Sequence, residues 1–190
     1  MKKLFALILI AFLLLTAGAA LAQLPTPDMP RFETVTGTII GITNVQMPDG
    51  QSTTYLMLET ENGPTQVVLS KDAAFCDLRF GEGNPAMGLT VTAVYDTTLP
   101  VPMIYPPRFT VAALITPPKG YSVAVSVFDD TLTSKDGSLK LSLSEATSIR
   151  ALDLTAYDQP LEGKNLLVVY GPVTRSIPAQ TAPRLVIVLD

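Results

Sequence analysis

Two turn signatures recur along this chain at matched spacing, and that repetition constrains its fold more than any other feature. Asn62-Gly63 lies six residues before Leu69-Ser70, and Asp136-Gly137 lies six before Leu143-Ser144. Gly88 stands seven residues before Tyr95, and Gly163 stands seven before Tyr170. Pro102, Pro107 and Arg108 then match Pro178, Pro183 and Arg184, if the second loop carries one extra residue. Landmarks kept in this order imply an internal repeat, in which each copy is one supersecondary unit.

The segments between the landmarks read as β-strands. Asn-Gly and Asp-Gly supply the two positive-φ residues of a type I′ hairpin turn. The first hairpin is flanked by 55–60 and 65–70, the second by 130–134 and 139–144. Leu139, Leu141 and Leu143 alternate with polar residues, as in a strand with one wet face. The β-branched run 35–42 and the alternating valines of 122–128 open the units. Segments 89–95 with 109–115, and 165–170 with 185–189, are apolar without alternation, which predicts burial on both faces or at an interface. Each copy thus reads as three strands, a longer connection, a strand, a proline-rich loop and a strand. The expectation is an all-β protein of two tandem OB-like five-stranded Greek-key barrel units, with a β-sandwich as the alternative. The connections 72–86 and 146–162 lack helical periodicity and are expected to be irregular, with Leu152, Leu154 and Leu161 available as a plug.

The N-terminus has the layout of an export signal. Lys2 and Lys3 precede an apolar run from Leu4 to Leu15 and the small-residue stretch ending Ala20-Leu21-Ala22. Cleavage after Ala22 leaves a proline-bearing arm over 23–32, a first unit over 33–116, a linker over 117–120 and a second unit over 121–190. Prolines 117 and 118 make that linker short and stiff. No later stretch is apolar enough for a membrane span once the signal is removed. The expected location is secreted, extracellular or attached to the cell surface.

Composition then removes whole classes of activity. The full chain carries 13 basic and 17 acidic residues, and loss of 1–22 takes two lysines, so the mature net charge is −6. Scattered bases on an acidic background argue against nucleic acid. The absence of histidine excludes Ser-His-Asp chemistry and the commonest metal ligand. Cys76 is the only cysteine, so ordinary zinc and iron–sulfur sites are excluded, and the thiol is read as a small buried side chain or an intermolecular disulfide partner. Asp129, Asp130 and Asp136 lack the spacing of a calcium loop and read as turn residues. The scattered methionines do not form a copper cluster. No cofactor, metal or catalytic residue is assigned.

Two loops stand out between the last strands of each unit, where OB-like barrels present binding loops. The first holds Pro100, Pro102, Met103, Ile104, Tyr105 and Arg108, an apolar surface stiffened by proline. The second holds Tyr170, Thr174, Arg175, Ser176, Pro178, Gln180 and Arg184, polar enough to offer hydrogen bonds. The competing reading folds both loops over their own barrels as plugs, with Arg108 and Arg184 capping strand ends. The run 169–181 resembles the YYGPxxTRSxPPQ segment of small secreted proteins of Firmicutes-type bacteria, some of which carry stalk domains like the copper amine oxidase N-terminal domain. Ala179 departs from the second proline of that segment, and the first copy lacks Thr-Arg-Ser. The resemblance implies a role in the envelope or outside the cell, and no reaction.

The resulting expectation is a non-catalytic module that binds a protein partner or copies of itself in a surface assembly. The second reading is a cell-wall glycan or peptidoglycan binder using Tyr55, Tyr95, Tyr105 and Tyr170 as stacking platforms. A third is a hydrolase with paired carboxylates.

Overall fold

The computed structural model describes residues 30–47, 50–78 and 84–190. The expected signal, its cleavage point after Ala22 and the arm as far as residue 29 lie outside the described residues. The protein is all-β. Among the described residues no helix is long and apolar enough to cross a membrane.

The first unit is a closed barrel built from β1 (Phe32–Gln46), β2 (Ser52–Thr60), β3 (Gly63–Asp77), β4 (Thr90–Asp96) and β5 (Arg108–Thr116), hydrogen-bonded in the order β1-β2-β3-β5-β4. Closure depends on β1 serving two neighbours in turn: it pairs with β4 from Phe32 to Thr38 and with β2 from Gly37 to Gln46. Gly37 sits where both partners flank the strand, and a Cβ there would lie 2.7 Å from the Glu59 carbonyl oxygen. Only glycine fits that approach. The interior is filled by Ile39, Leu56, Leu58, Val67, Val91, Ala93, Val111 and Leu114. The connection expected to be irregular from residue 72 is instead strand as far as Asp77, because β3 runs on to pair in parallel with β5.

Both hairpin turns form where expected, by a different geometry. Thr60 pairs with Gly63 across Glu61 and Asn62, and of these residues only Gly63 has positive φ, at 97°. Likewise the Gly137 amide donates to the Ser134 carbonyl at 2.7 Å, with Gly137 at φ 68°. This is a type I turn with glycine in the left-handed bulge position, so the Asn-Gly and Asp-Gly pairs are not the centre of a type I′ turn.

The second unit contains β6 (Ser122–Val127), β7 (Leu139–Leu141), β8 (Ser148–Arg150), β9 (Asn165–Tyr170), β10 (Ala179–Thr181) and β11 (Pro183–Val188). Its four-stranded sheet runs β6-β9-β11-β8, with β10 and β7 paired beside it. The registers show that this is the first unit's plan. Val94 faces Ala113 and Tyr95 faces Val111, skipping Ala112; Val169 faces Leu185 and Tyr170 faces Pro183, skipping Arg184. Both fifth strands therefore bulge at the same place. The parallel pairing behind them also shifts alike: Leu69 to Ala74 spans five positions against two, and Leu141 to Ser148 spans seven against four.

These registers correct the proline alignment. From Tyr95 to Val111 is sixteen positions, and from Tyr170 to Pro183 is thirteen, so the second loop is three residues shorter, not one longer. Pro183 and Arg184 occupy the places of Val111 and Ala112. The match to Pro178 is Pro106, and each follows a cis peptide bond.

One expected strand is missing. Residues 130–134 contribute only isolated bridges, Phe128 to Ser134 and Thr133 to Lys140. The cause is local: the Asp129 carboxylate accepts hydrogen bonds from the Thr131 amide at 2.9 Å, the Thr131 hydroxyl at 2.8 Å and the Thr133 amide at 2.9 Å. A side chain that captures these donors diverts the backbone from a ladder. The strand expected over 139–144 correspondingly ends at Leu141. Leu161 joins the core of this unit with Phe128, Leu139, Leu141, Leu166, Val168, Val186 and Val188, as a plug residue should.

A third core joins the units. Phe32, Ala74, Val94, Ala113 and Ile115 pack against Leu167, Val169, Leu185, Ile187 and Leu189, with Leu152 and Leu154 at the margin. The registers make Val94 and Val169, Ala113 and Leu185, and Ile115 and Ile187 equivalent pairs. The two units therefore bury the same face against each other, as the partners in a two-fold dimer do. Double-sided burial accounts for the unbroken apolar character of β4, β5, β9 and β11. Arg31 adds a rim clasp, with Nε 3.2 Å from Asp96 and Nη1 3.1 Å from Asp190. Half-exposed pairs of this kind contribute little beside the apolar joint. Leu167→Ala should destabilise the protein by about 2–5 kcal/mol, and urea unfolding should still show one transition. Two separate transitions in the parent protein would contradict a shared core.

Candidate interaction loops

The β4–β5 loop of the first unit is tied at both ends and bare at its tip. At the start, the Asp96 carboxylate accepts from the Thr98 amide at 2.8 Å and the Thr98 hydroxyl at 2.5 Å, while the Thr97 hydroxyl donates to the Pro30 carbonyl at 2.8 Å. At the end, Arg108 Nε donates to Gln66 Oε1 at 2.5 Å, and its guanidinium lies 5.6 Å from the centre of the Tyr55 ring. Pro100 and Pro102 lean over the stacked rings of Tyr95 and Phe109, 4.3 Å apart, across a small cavity of about 100 Å³ that Arg108 also lines. Beyond them the tip is open to solvent: Met103 is fully exposed, Tyr105 is 81% exposed, and Leu99, Val101 and Ile104 are each exposed. Only Pro106 and Pro107 are partly buried. The loop does not plug its own barrel.

The second loop consumes its own polar groups. The Thr174 amide donates to the Gln180 carbonyl at 2.9 Å, and the Gln180 amide donates to the Thr174 hydroxyl oxygen at 2.8 Å. The Thr174 and Ser176 hydroxyls lie 2.6 Å apart, and Ser176 donates to the Pro178 carbonyl at 2.7 Å. Thr181 donates to the Pro172 carbonyl at 3.0 Å. The Thr174 and Ser176 hydroxyls, with the backbone of Pro178 and Gln180, thus form the clasp that shapes the loop. What projects is Val173, Arg175 and Ile177, the last 97% exposed. Among the described residues no hydrogen bond passes between the two loops. Arg184 is the second residue of β11, at the bulge beside the foot of this loop, and by register it matches Ala112 and not Arg108.

The tyrosines are unequal. Tyr95 donates to Glu33 Oε2 at 2.7 Å, and its pKa is pushed up to about 12 by burial first, then by that hydrogen bond and the carboxylate charge. Tyr55 lies beneath Arg108, and Tyr170 is partly buried against the Phe128 core. Tyr105 alone of the four candidates is widely exposed.

Sequence reading missed the residues that anchor the loops, Asp96, Glu33 and Phe109. A local signal existed for the first: Asp followed two positions later by Thr or Ser. It recurs at Asp96 and Thr98, Asp129 and Thr131, Asp136 and Ser138, and Asp153 and Thr155, and each time the Asp accepts from both the amide and the hydroxyl. All four carboxyls are held below the ordinary range. For Asp96 partial burial pushes the other way, and the bonds from Thr98 and Arg31 outweigh it. For Asp129 the Thr133 amide is the main cause, for Asp136 the Ser134 hydroxyl, and for Asp153 the Thr155 hydroxyl. Among the described residues no three acidic or thiol groups converge as metal ligands would.

Depressed carboxyl pKa values stabilise the fold above the unfolded value of about 3.9 and lose that effect as pH falls through the folded values. The urea midpoint should therefore hold from neutrality to about pH 5 and drop below about pH 4. Tyr95 has the opposite sense: its contribution is complete below about pH 10 and lost as pH rises towards 12. Ultraviolet titration should show a phenolate step near pH 12 that Tyr95→Phe removes.

Searches against protein-family models and against curated proteins returned no match for this chain.

Proposed function

We propose that this protein is a non-catalytic, exported interaction module whose first β4–β5 loop docks on a protein partner or on another copy of the chain. The observation that carries this reading is the exposed apolar tip Leu99–Tyr105, held out by prolines and anchored at both ends by Asp96 and Arg108. Contiguous exposed apolar surface on a folded module is a mark of an interaction site. Its stiffness lowers the entropy lost on docking. The face the two units share is occupied within the chain, so association between chains would use the loops in place of that joint. Export rests on the N-terminal Lys-Lys, apolar run and Ala-Leu-Ala site.

A glycan-binding reading keeps one supporting observation, the outward ring of Tyr105. The other three candidate tyrosines are engaged in packing or hydrogen bonding and have little free face. Cell-wall pelleting that is lost in Tyr105→Ala and kept in Tyr170→Ala would favour it over protein docking.

For the docking reading, the mature chain should self-associate or capture an envelope protein when its concentration is raised, as followed by light scattering behind size-exclusion chromatography and by pull-down. Replacing Met103, Ile104 and Tyr105 together by Ser should abolish that association and leave the unfolding free energy within about 0.5 kcal/mol of the parent. A parent protein that stays monomeric and captures nothing, or a triple variant that associates as before, would remove the loop from this role.

A further inference from the structure

A groove of about 450 Å³ opens beside the joint between the units. Cys76 and Leu78 of the first unit line it together with Ala146, Ser148, Arg150, Leu154, Arg184 and Leu185 of the second. That volume falls within the usual range for a small-molecule site, about 300–1,000 Å³, and an apolar surface with a few convergent polar groups is the usual lining.

The two arginines give the groove its character. Among the described residues neither Arg150 nor Arg184 forms an ion pair, and one acid, the buried Asp77, stands beside Cys76. Arg150 is held in place: its Nε donates to Ser148 Oγ at 3.0 Å and its Nη1 to the Leu154 carbonyl at 3.1 Å. Those bonds orient the guanidinium without cancelling its charge. Arg184 has no hydrogen-bond partner among the described residues and is exposed. It is the extra residue of the β11 bulge, and bulges re-aim side chains in this way. The equivalent positions of the first unit carry Cys76 and Ala112, so the charge belongs to one side of the joint only.

We propose that this groove binds a small aliphatic carboxylate, with its carboxylate between Arg150 and Arg184 and its chain on Leu78, Leu154 and Leu185. Guanidinium groups match carboxylate oxygens in charge and geometry, and such charge-assisted bonds are the stronger kind. This site is independent of the docking loop, and either can fail without the other.

Cys76 supplies a reporter, being the only cysteine and part of the groove lining. Its thiolate displaces methanesulfinate from a methanethiosulfonate reagent and is left as a mixed disulfide. Burial first, then the Asp77 carboxylate, push this thiol up, so labelling is run at alkaline pH. The anionic ethylsulfonate reagent should label the mature chain several-fold faster than the cationic ethylammonium reagent. Octanoate should slow labelling saturably, and octanol or inorganic phosphate at equal concentration should not. Arg184→Ala and Arg150→Gln should each weaken octanoate protection about tenfold. Proton line broadening of octanoate by the unlabelled protein makes the same comparison without relying on thiol reactivity. The proposal is overturned if octanoate neither protects nor broadens, if octanol or phosphate protects equally well, or if protection is unchanged in Arg184→Ala.

Discussion

The apolar joint between the two units is the contact on which the rest of the molecule depends. β4 and β5 would be one-sided strands in a lone barrel, yet Val94, Ala113 and Ile115 turn outward and are fully buried against Val169, Leu185 and Ile187. Exposing that surface would cost more than any clasp at its rim could return. Because equivalent strands meet, the chain has built into itself the kind of self-complementary contact that two copies of a smaller protein would make. The proline-rich loops leave the ends of these same strands, so the joint also fixes the bases from which they project.

The two units differ where the joint imposes no demand. The first keeps a full second strand and closes its barrel; the second gives up that strand where Asp129 gathers the amides of Thr131 and Thr133. The loops have separated in the same way. One presents Met103, Ile104 and Tyr105 to solvent, while the other is shorter and spends Thr174, Ser176 and Gln180 on its own shape. The bulge in the fifth strand survives in both copies, but it carries Ala112 in one and Arg184 in the other. A shared backbone irregularity has thus become a charged position on one side of the groove beside the joint.

Much of the framework was legible because it is written in short-range patterns. Gly63, Gly137, Gly88 and Gly163 all take positive φ, as turn glycines in a repeat should. The prolines misled, since a proline restricts only its own neighbourhood and says nothing about which residue lies across a sheet. Pairing Pro107 with Pro183 looked natural along the chain, and the ladder set Pro183 opposite Tyr170 where the first unit has Val111 opposite Tyr95. The Thr-Arg-Ser segment is ambiguous for the same reason: a hydroxyl in the sequence does not reveal whether its partner is a ligand or, as for Ser176, a carbonyl two residues away.

Alternation and turn glycines by themselves determined an all-β chain with a repeated plan, because each is a property of residues close in sequence. Which faces of the two units would meet, that Leu99–Tyr105 stands clear of its barrel, and that Arg150 and Arg184 share a groove with Cys76 were decided only by tertiary structure. These depend on pairings and burial between residues tens of positions apart, where strand register and packing select the neighbours that no local pattern can name.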